Sequence, residues 1–521
     1  MASQLYDQLN KDWKSTCKVL FGEEIGELNE YEGWLASLFC HVGKRKSHIS
    51  GKDVTLAVDD YSDSANFISL GEEKEETTPL SINEVKDIDG IVEAISERWE
   101  YTGNRILGNS ASVENSDLVM DSQYVSNCAN IQNIQHAFSL YEAQYGKYVF
   151  GSGQLSEGEF LIGFFSGVNN KRCFNSSDNT NSSDLYLSHN CHGCHDMIFS
   201  FHQLNKRNCI GNLELDKEKY LEIKKRLLGE VADGLKEKKK FPHIYQLIPD
   251  EKISDEVKIA VPPAEKEGEI EQIETAFSST FKVMFKKETW GMEQYNEWLS
   301  RHIASMYEIV SPFDSRVYFA NYANYPILAT MPKQRLVNYR EALELGKLHA
   351  DEKNITSLEE LKGWVAKTAC LCADFSSGRN TNVMKSAILM DSSNVYKSYV
   401  GIKTENVGIN SWPLRSKYLF GCNHVVDSQF SINCYNSSHL NRCFEIDASA
   451  RCAGSMFSHN CEGLNDAMFC FNTKGKRYAI GNSQLPPDQF ISLRDGLMGQ
   501  VADELIKAKS MKLDIYNIGS R

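Results

Sequence analysis

The sequence predicts an α+β protein with two tandem β-solenoid modules, each preceded by a small α/β domain and followed by a C-terminal capping helix. Two observations predict this fold. The segment 188–212 returns as 458–482, and the same offset relates Cys173–Phe174 to Cys443–Phe444, which indicates an internal duplication. Within each copy, short apolar segments recur about every twelve residues, and Ser, Asn, Gly and Asp lie between them. This spacing is typical of a strand-turn repeat.

The duplication divides the chain near residue 265, and we name residues 1–265 the first half and 266–521 the second half. The predicted regions are an α/β domain at 1–110, a solenoid with its capping helix at 111–248, a linker at 249–275, a second α/β domain at 276–380, and a second solenoid with its capping helix at 381–521.

The α/β domain of the first half is predicted to contain an amphipathic helix at Ser81–Tyr101, because apolar residues recur there at helical spacing. The block Cys17–Phe21 returns as Phe281–Phe285, so the duplication includes this region as well. In the second half, helices are expected at Gln334–Leu348 and Ser357–Lys367.

In the solenoid segments, each inward side chain is expected to stack on its equivalent one coil away, at about 4.8 Å. The pattern leaves two or three strands per coil open, which corresponds to about 24 or about 36 residues per coil. The helices predicted at Asp216–Lys240 and Pro487–Lys509 are expected to cover the ends of the two solenoids, where strand edges would otherwise stay unpaired.

Composition excludes several classes of protein. A formal net charge of −14 argues against broad binding to nucleic acid, which needs a basic surface. The chain has no apolar run of about 18 residues, so no membrane span is expected. Its first residues lack the apolar core of a signal peptide, and a cytoplasmic protein is expected. In a chain of this size, 15 cysteines predict free, buried thiols.

The sharpest candidate for chemistry is a cluster of histidines and cysteines within seven residues: His189, Cys191, His192, Cys194 and His195. Zinc takes sulfur and nitrogen ligands in tetrahedral geometry, and a Cys-x-x-Cys pair can bind one ion from a tight turn. The second copy keeps the equivalents of the first two residues, His459 and Cys461, but not of the other three. Two interpretations stay open: a zinc site, or interior cysteines with surface histidines.

Other candidates favour packing over chemistry. Five cysteines of the second half lie nine residues apart, at 434, 443, 452, 461 and 470, and are expected mostly in turns that do not share one wall. The equivalent acids Asp121 and Asp391, and Asp196 and Asp466, are expected at corners, where Asp accepts backbone hydrogen bonds. No Gly-rich phosphate loop is present, and no catalytic residue is predicted.

The ends of the two copies resemble a group of uncharacterised prokaryotic proteins rich in Cys and Asn repeats. The resemblance lies in Asn205–Asn212 followed by Tyr220, and in Lys476–Asn482 followed by Phe490. It covers about residues 118–225 and 388–495. Because no activity is known for that group, the resemblance implies a β-solenoid-like architecture and nothing about a reaction.

Together these features predict a non-enzymatic structural protein that assembles with copies of itself into a cage, shell, filament or virion-like body. Neither nucleic acid nor a membrane is an expected partner, and no cofactor is expected. The alternative is a metal-binding protein or metalloenzyme that uses zinc at residues 189–195. A third interpretation is a carbohydrate- or protein-binding module with exposed aromatic residues at Tyr318, Phe319, Tyr322 and Tyr325.

Overall fold

The structure is a computed structural model that describes residues 4–38, 42–73, 80, 86–144, 146–147, 149–153, 157–165, 170–261, 263, 268–322 and 325–519. The protein is mixed α+β, as predicted. Its α-helices are α1 Gln4–Phe21, α2 Glu32–Leu38, α3 Ile88–Ser96, α4 Lys217–Lys238, α5 Ile244–Leu247, α6 Glu271–Phe285, α7 Asn296–Leu299, α8 Tyr339–Leu345, α9 Leu358–Thr368 and α10 Pro487–Ala508. Short 3-10 helices lie at Leu28–Glu30, Met292–Tyr295, Pro326–Thr330, Lys333–Arg335 and Glu352–Ile355.

Most strands are short. In the first half they are β1 Gly43–Lys46, β2 Asp53–Leu56, β3 Asn66–Ser69, β4 Glu100–Gly103, β5 Ile106–Leu107, β6 Ala111–Glu114, β7 Asp117–Met120, β8 Gln123–Ser126, β9 Ala129–Gln132, β10 Ala137–Phe138, β11 Leu140–Gln144, β12 Ser152–Gly153, β13 Phe164–Phe165, β14 Ser183–Tyr186, β15 His195–Ile198, β16 Arg207–Ile210 and β17 Leu213–Glu214.

The strands of the second half are β18 Ser305–Val310, β19 Arg316–Asn321, β20 Leu336–Val337, β21 Leu371–Cys372, β22 Phe375–Ser377, β23 Thr381–Met384, β24 Ile388–Met390, β25 Ser393–Ser398, β26 Val400–Ile402, β27 Glu405–Leu414, β28 Lys417–Phe420, β29 Asn423–Val426, β30 Gln429–Ser438, β31 Asn441–Asp447, β32 Met456–His459, β33 Asn465–Met468, β34 Arg477–Ile480 and β35 Ser483–Gln484. Strands β22 to β35 form one 14-stranded sheet, and the other sheets have six strands or fewer.

Parallel pairing in the long sheets joins residues twelve apart. Leu185 pairs with Met197, and Met197 pairs with Cys209. In the second half, Phe420 pairs with Ile432, which pairs with Phe444. The predicted spacings of about 24 or 36 residues per coil were therefore wrong. The chain turns more often than the apolar segments alone indicate.

The chain turns this often because every third residue has a left-handed backbone conformation. From Asn175 to Gly211, and again from Asn406 to Gly481, every third residue has a positive φ. Twelve residues therefore contain four such corners. Asn, Asp and Gly tolerate this conformation, whereas for most other residues it costs about 1–2 kcal/mol. Phe457 and Phe469 adopt it as well, and their rings stack at 4.8 Å with 7° between the planes.

The helices after the two repeat segments are confirmed. Asp216 caps α4, because its side chain accepts a hydrogen bond from the amide of Lys219 at 2.9 Å. Lys239 follows α4 as its C-cap in a left-handed conformation, and Lys509 caps α10 in the same way. Apolar residues at helical spacing, among them Tyr220 and Leu227, pack α4 on the sheet.

Two predicted helices are shorter than expected. Within 81–101, residues 81–85 lie outside the described residues, α3 spans Ile88–Ser96, and Glu100–Gly103 forms β4, which pairs with β3. Tyr101 and Thr102 are fully buried in this pairing, so tertiary contacts override the helical pattern. Within 334–348, Leu336–Val337 pairs with Leu371–Cys372, and Asn338 starts α8 by accepting a hydrogen bond from the amide of Glu341. The second-half helix expected at 357–367 is present as α9.

Two large cores each combine side chains from both halves. The first joins α1, α4 and the first-half sheets to second-half residues such as Val317, Leu336 and Leu361. The second joins α6, α10 and the 14-stranded sheet to first-half residues such as Phe67 and Trp99. The cores thus cross the predicted domain ranges, which stay a prediction.

Candidate functional site

His189, the first residue of the predicted zinc cluster, is fully buried and connects the two halves. Its Nε2 accepts a hydrogen bond from the backbone amide of Cys372 at 2.8 Å. Its Nδ1 lies 2.7 Å from the hydroxyl of Ser177 and 3.5 Å from Asp178 Oδ2. Burial, together with neighbouring imidazoles, holds the pKa of His189 well below its usual value, so the ring is neutral. The expected surface position was wrong for this histidine.

Cys191 and Cys194 face the interior of the first-half sheets. Both are fully buried in an apolar cluster with residues such as Val119 and Leu185. The thiol of Cys191 donates to the carbonyl of Ser200 at 3.4 Å, and the thiol of Cys194 donates to that of Gln203 at 3.4 Å. Burial raises the pKa of Cys191 well above that of a free thiol. The interpretation as interior cysteines is confirmed.

His192 and His195 follow His189 at intervals of three residues, so a left-handed corner separates each from the one before it. Nδ1 of His192 contacts the hydroxyl of Thr180 at 2.7 Å, and the ring stacks on Phe375 at 4.7 Å. Burial lowers the pKa of His192 to about 4. Nδ1 of His195 contacts the hydroxyl of Ser183 at 2.8 Å. Each imidazole therefore contacts a hydroxyl twelve residues earlier, as His189 does.

The five side chains do not gather around one point. Across the described ranges, no group of three or more His, Cys, Asp or Glu side chains is arranged to hold a metal ion. Zinc binding by residues 189–195 stays a prediction, and it would require these side chains to leave the contacts given above.

The second half repeats the contact that His189 makes. Nε2 of His459 accepts a hydrogen bond from the backbone amide of Thr102 at 3.2 Å. Positions 189 and 459 are equivalent in the repeat at an offset of 270 residues, and positions 102 and 372 lie at the same offset. Each histidine thus accepts a hydrogen bond from the strand pair that precedes the sheet of the other half.

A second pair of hydrogen bonds also joins the two halves at equivalent positions. Nε2 of His202 donates to the carbonyl of Cys370 at 3.1 Å, and Nδ2 of Asn472 donates to the carbonyl of Glu100 at 3.0 Å. Asn472 and Cys370 again occupy the positions equivalent to His202 and Glu100. Burial lowers the pKa of His202 to about 3, which keeps it neutral. The sequence repeat predicts a duplication but does not predict that these contacts cross between halves.

The buried carboxylate of Asp447 lies beside the second-half contact. Nδ1 of His459 lies 2.9 Å from the carboxylate of Asp447, which also accepts hydrogen bonds from Tyr61 at 2.7 Å and Tyr516 at 3.3 Å. Burial alone would raise the pKa of Asp447, but the contact with His459 leaves it below its usual value. The first half has Ser177 at this position, so Asp447 is an asymmetry that the sequence shows but sequence reasoning missed.

A small cavity lies beside the first-half contact. Asp178, Tyr245, Cys372 and Asp374 are among its lining residues. Burial raises the pKa of the Cys372 thiol well above its usual value, and this thiol donates to the carbonyl of Asp374 at 2.6 Å. Because the Nε2 lone pair of His189 is occupied by the Cys372 amide, His189 is not oriented to activate that thiol as a nucleophile.

The five cysteines nine residues apart contribute to one interior cluster, but they do not share one wall, as predicted. With a corner every three residues, positions nine apart lie on neighbouring sides of the same interior. The thiol of Cys443 accordingly donates to the carbonyl of Cys452 at 3.4 Å. All cysteines of the described residues are free and buried, as predicted.

The four acids predicted at corners all have a positive φ, so their corner positions are confirmed: Asp121, Asp391, Asp196 and Asp466. The first two also accept the predicted backbone hydrogen bonds. Asp121 accepts a hydrogen bond from the amide of Asn109 at 2.9 Å, and Asp391 accepts one from that of Arg379 at 3.0 Å. Asp196 and Asp466 instead face cations of α4 and α10. Of the aromatic residues considered for binding, Phe319, Tyr322 and Tyr325 are buried.

The hairpin of β18 and β19 presents apolar side chains to solvent. Val310 is 65% exposed and Tyr307 is 47% exposed, and Tyr307 stacks on Phe319 at 5.4 Å. In the described part of the chain, neither strand pairs with a third strand. The corresponding first-half hairpin of β1 and β2 is shorter, and its β1 has the sequence Gly-Lys-Arg-Lys.

No family model, curated protein or solved structure matches this chain. The resemblance to Cys- and Asn-rich repeat proteins stays a prediction. None of the helices in the ranges that the structure describes is long and apolar enough to cross a membrane.

Proposed function

We propose that the chain is a non-enzymatic structural protein that assembles with copies of itself into a large homo-oligomer. In this proposal it consists of two β-solenoid modules that arose by duplication. Pairing of residues twelve apart, with a left-handed corner every three residues, supports the solenoid. The reciprocal contacts of His189 and His459 support the duplication, because the two histidines occupy equivalent positions of the repeat and so do the residues that bind them.

The observation that carries self-assembly is the open hairpin of β18 and β19. An exposed strand edge with apolar side chains is a template for pairing with another chain, and proteins that stay monomeric usually protect such edges with Lys or other charges. The first-half hairpin carries three basic residues in β1, Lys44, Arg45 and Lys46. In β18, Tyr307 and Val310 are exposed beside Glu308, which pairs with Arg316 of β19. A second copy that pairs its own β18 with this β18 would cover the open β18 edge of both copies.

The experiment compares Val310→Lys with Val261→Lys by light scattering on the untagged protein. The two valines are 65% and 54% exposed, so both changes replace an exposed apolar group with a charge, but only Val310 lies on the hairpin. We expect Val310→Lys to reduce the native mass at a given concentration and Val261→Lys to leave it unchanged.

Two results would contradict the proposal. An unmodified protein that is monomeric at all concentrations would refute self-assembly. An assembly whose mass is the same in Val310→Lys and in the unmodified protein would refute the role of the hairpin. The alternative of a zinc protein predicts a small species that carries zinc and loses it in Cys191→Ser.

A further inference from the structure

A cleft of about 270 Å³ lies in the second half between α6, α10 and the 14-stranded sheet. This volume is near the lower end for sites that bind small molecules. No residue of the hairpin of β18 and β19 lines the cleft, and ligand binding there does not depend on self-assembly.

Positive charge predominates around the cleft, although the whole chain has a net charge of −14. Four basic residues line it, Lys286, Lys287, Arg442 and Arg494, against two acidic ones, Asp466 and Asp495. Lys286 forms an ion pair with Asp495, Lys287 with Asp503, and Arg494 with Asp466. No carboxylate of the described residues forms an ion pair with Arg442.

The equivalent place in the first half is closed. Arg172, the equivalent of Arg442, forms an ion pair with Asp184, and Nη2 lies 3.1 Å from Oδ2. The second half has Gly454 in place of that aspartate. Tyr186 fills the first-half position, with the ammonium of Lys224 4.7 Å from its ring centroid, and the second half has Met456 there. Loss of one carboxylate and one aromatic ring leaves Arg442 beside open space.

The floor of the cleft is apolar. Met284, Phe285, Met456 and Met498 line it and are nearly buried. Methionine side chains are flexible and polarisable, so they adapt to ligands of different shape. A basic rim above an apolar floor suits a ligand that has both an anionic group and an apolar group.

We propose that this cleft binds a small organic anion, in which a carboxylate, sulfonate or phosphate is joined to an apolar ring or chain. Arg442 binds the anionic group, because a guanidinium presents several donors in a planar fork that matches such oxygens. The methionines and Phe285 contact the apolar group. The first half has no such site at the equivalent position, because Asp184 already pairs with Arg172.

The test titrates the full-length protein with anilinonaphthalene sulfonate, a fluorescent anion with an apolar ring system. We expect Arg442→Gln to raise the Kd about tenfold, the loss typical of one charge-assisted hydrogen bond. Gly454→Asp restores the carboxylate found in the first half and should raise the Kd similarly. Gly454 has a φ of 57° and Asp184 one of 60°, so the aspartate suits this backbone conformation, and the side chain of Asp466, whose Oδ1 would lie 2.7 Å from the new Cβ, has to shift.

The matched control is Arg451→Gln, which removes a positive charge from an arginine that pairs with Glu462 outside the cleft. It should leave the Kd within about twofold, because distant surface charges are largely screened by salt. The uncharged probe N-phenylnaphthylamine should bind equally to the unmodified protein and to Arg442→Gln. The proposal is overturned if the sulfonate does not bind the unmodified protein, or if Arg442→Gln and Arg451→Gln change its Kd equally.

Discussion

The imidazole of His189 accepts a hydrogen bond from the backbone amide of Cys372 at 2.8 Å, although the two residues lie in different halves of the chain. His459 accepts the equivalent bond from Thr102. Each half therefore contributes a strand pair to the packing of the other, and the two large cores mix their side chains. The two halves are therefore joined by reciprocal hydrogen bonds and by shared cores.

The first prediction concerns the connection between the halves. A protease site inserted after residue 265 and then cleaved should leave the two fragments associated, because both large cores contain side chains from each. Size-exclusion chromatography under native conditions should give one peak that contains both fragments, and denaturant should separate them. Fragments that separate without denaturant would contradict reciprocal packing.

The second prediction concerns His189. Its replacement by alanine leaves the buried amide of Cys372 without an acceptor, and we expect the free energy of unfolding to fall by about 1–3 kcal/mol. His439→Ala is the control, because His439 is 60% exposed, and its effect should stay within about 0.5 kcal/mol. Chemical denaturation measures both. Equal losses in the two variants would show that the contact with Cys372 does not stabilise the fold.

The third prediction is a pH dependence at His302, which lies 3.2 Å from Asp514 and 3.3 Å from Asp60. Burial opposes its charge, but the two carboxylates outweigh burial and raise the pKa of His302 to about 9. A raised pKa means that the folded state holds the proton more tightly. The stabilisation is complete below about pH 6.5 and is lost as the pH rises through about 9.

Unfolding free energies of the unmodified protein and of His302→Gln test this prediction. We expect a difference on the order of 2 kcal/mol at low pH, which shrinks as the pH rises to about 9 and beyond. Glu445, whose pKa burial raises to about 8, is present in both proteins and contributes to both curves. A difference that stays constant with pH would contradict the assignment of the charge to His302.

The fourth prediction tests the left-handed corners. Asn115 is exposed and has a φ of 47°. Asn115→Val should lower the free energy of unfolding by about 1–2 kcal/mol, because a β-branched side chain is strained there. Asn115→Gly should be nearly neutral, and Gln132→Val, on an exposed strand residue without a positive φ, is the control. If both valine variants lose the same free energy, the backbone does not turn at Asn115.

The repeat spacing predicted strands such as β14, β15 and β16 in the first half and β32, β33 and β34 in the second, because apolar residues at intervals of twelve mark the interior. It did not predict that residues twelve apart pair directly. That outcome depends on the corners, which include Phe457, Trp412 and Ile409 as well as Asn and Asp. Turn propensity does not identify such residues, because tertiary packing outweighs their intrinsic backbone preference.

Sequence reasoning located the histidines of the candidate site but not their partners. His189 was identified as part of the cluster at residues 189–195, whereas Cys372 lies in the other half of the chain and contributes only its backbone amide to this contact. A backbone amide has no signature in the sequence. The buried pair of Arg105 and Asp117 was missed for a related reason, because a charged residue next to an apolar segment is typical of the surface.

Self-assembly is tested by the native mass of the untagged, unmodified protein in mass photometry, with metal content determined on the same particles. We expect a large discrete particle whose mass is a multiple of the 58.9 kDa chain and does not change when metal is removed. A monomer that carries about one zinc ion per chain would contradict self-assembly and favour a metal site at residues 189–195.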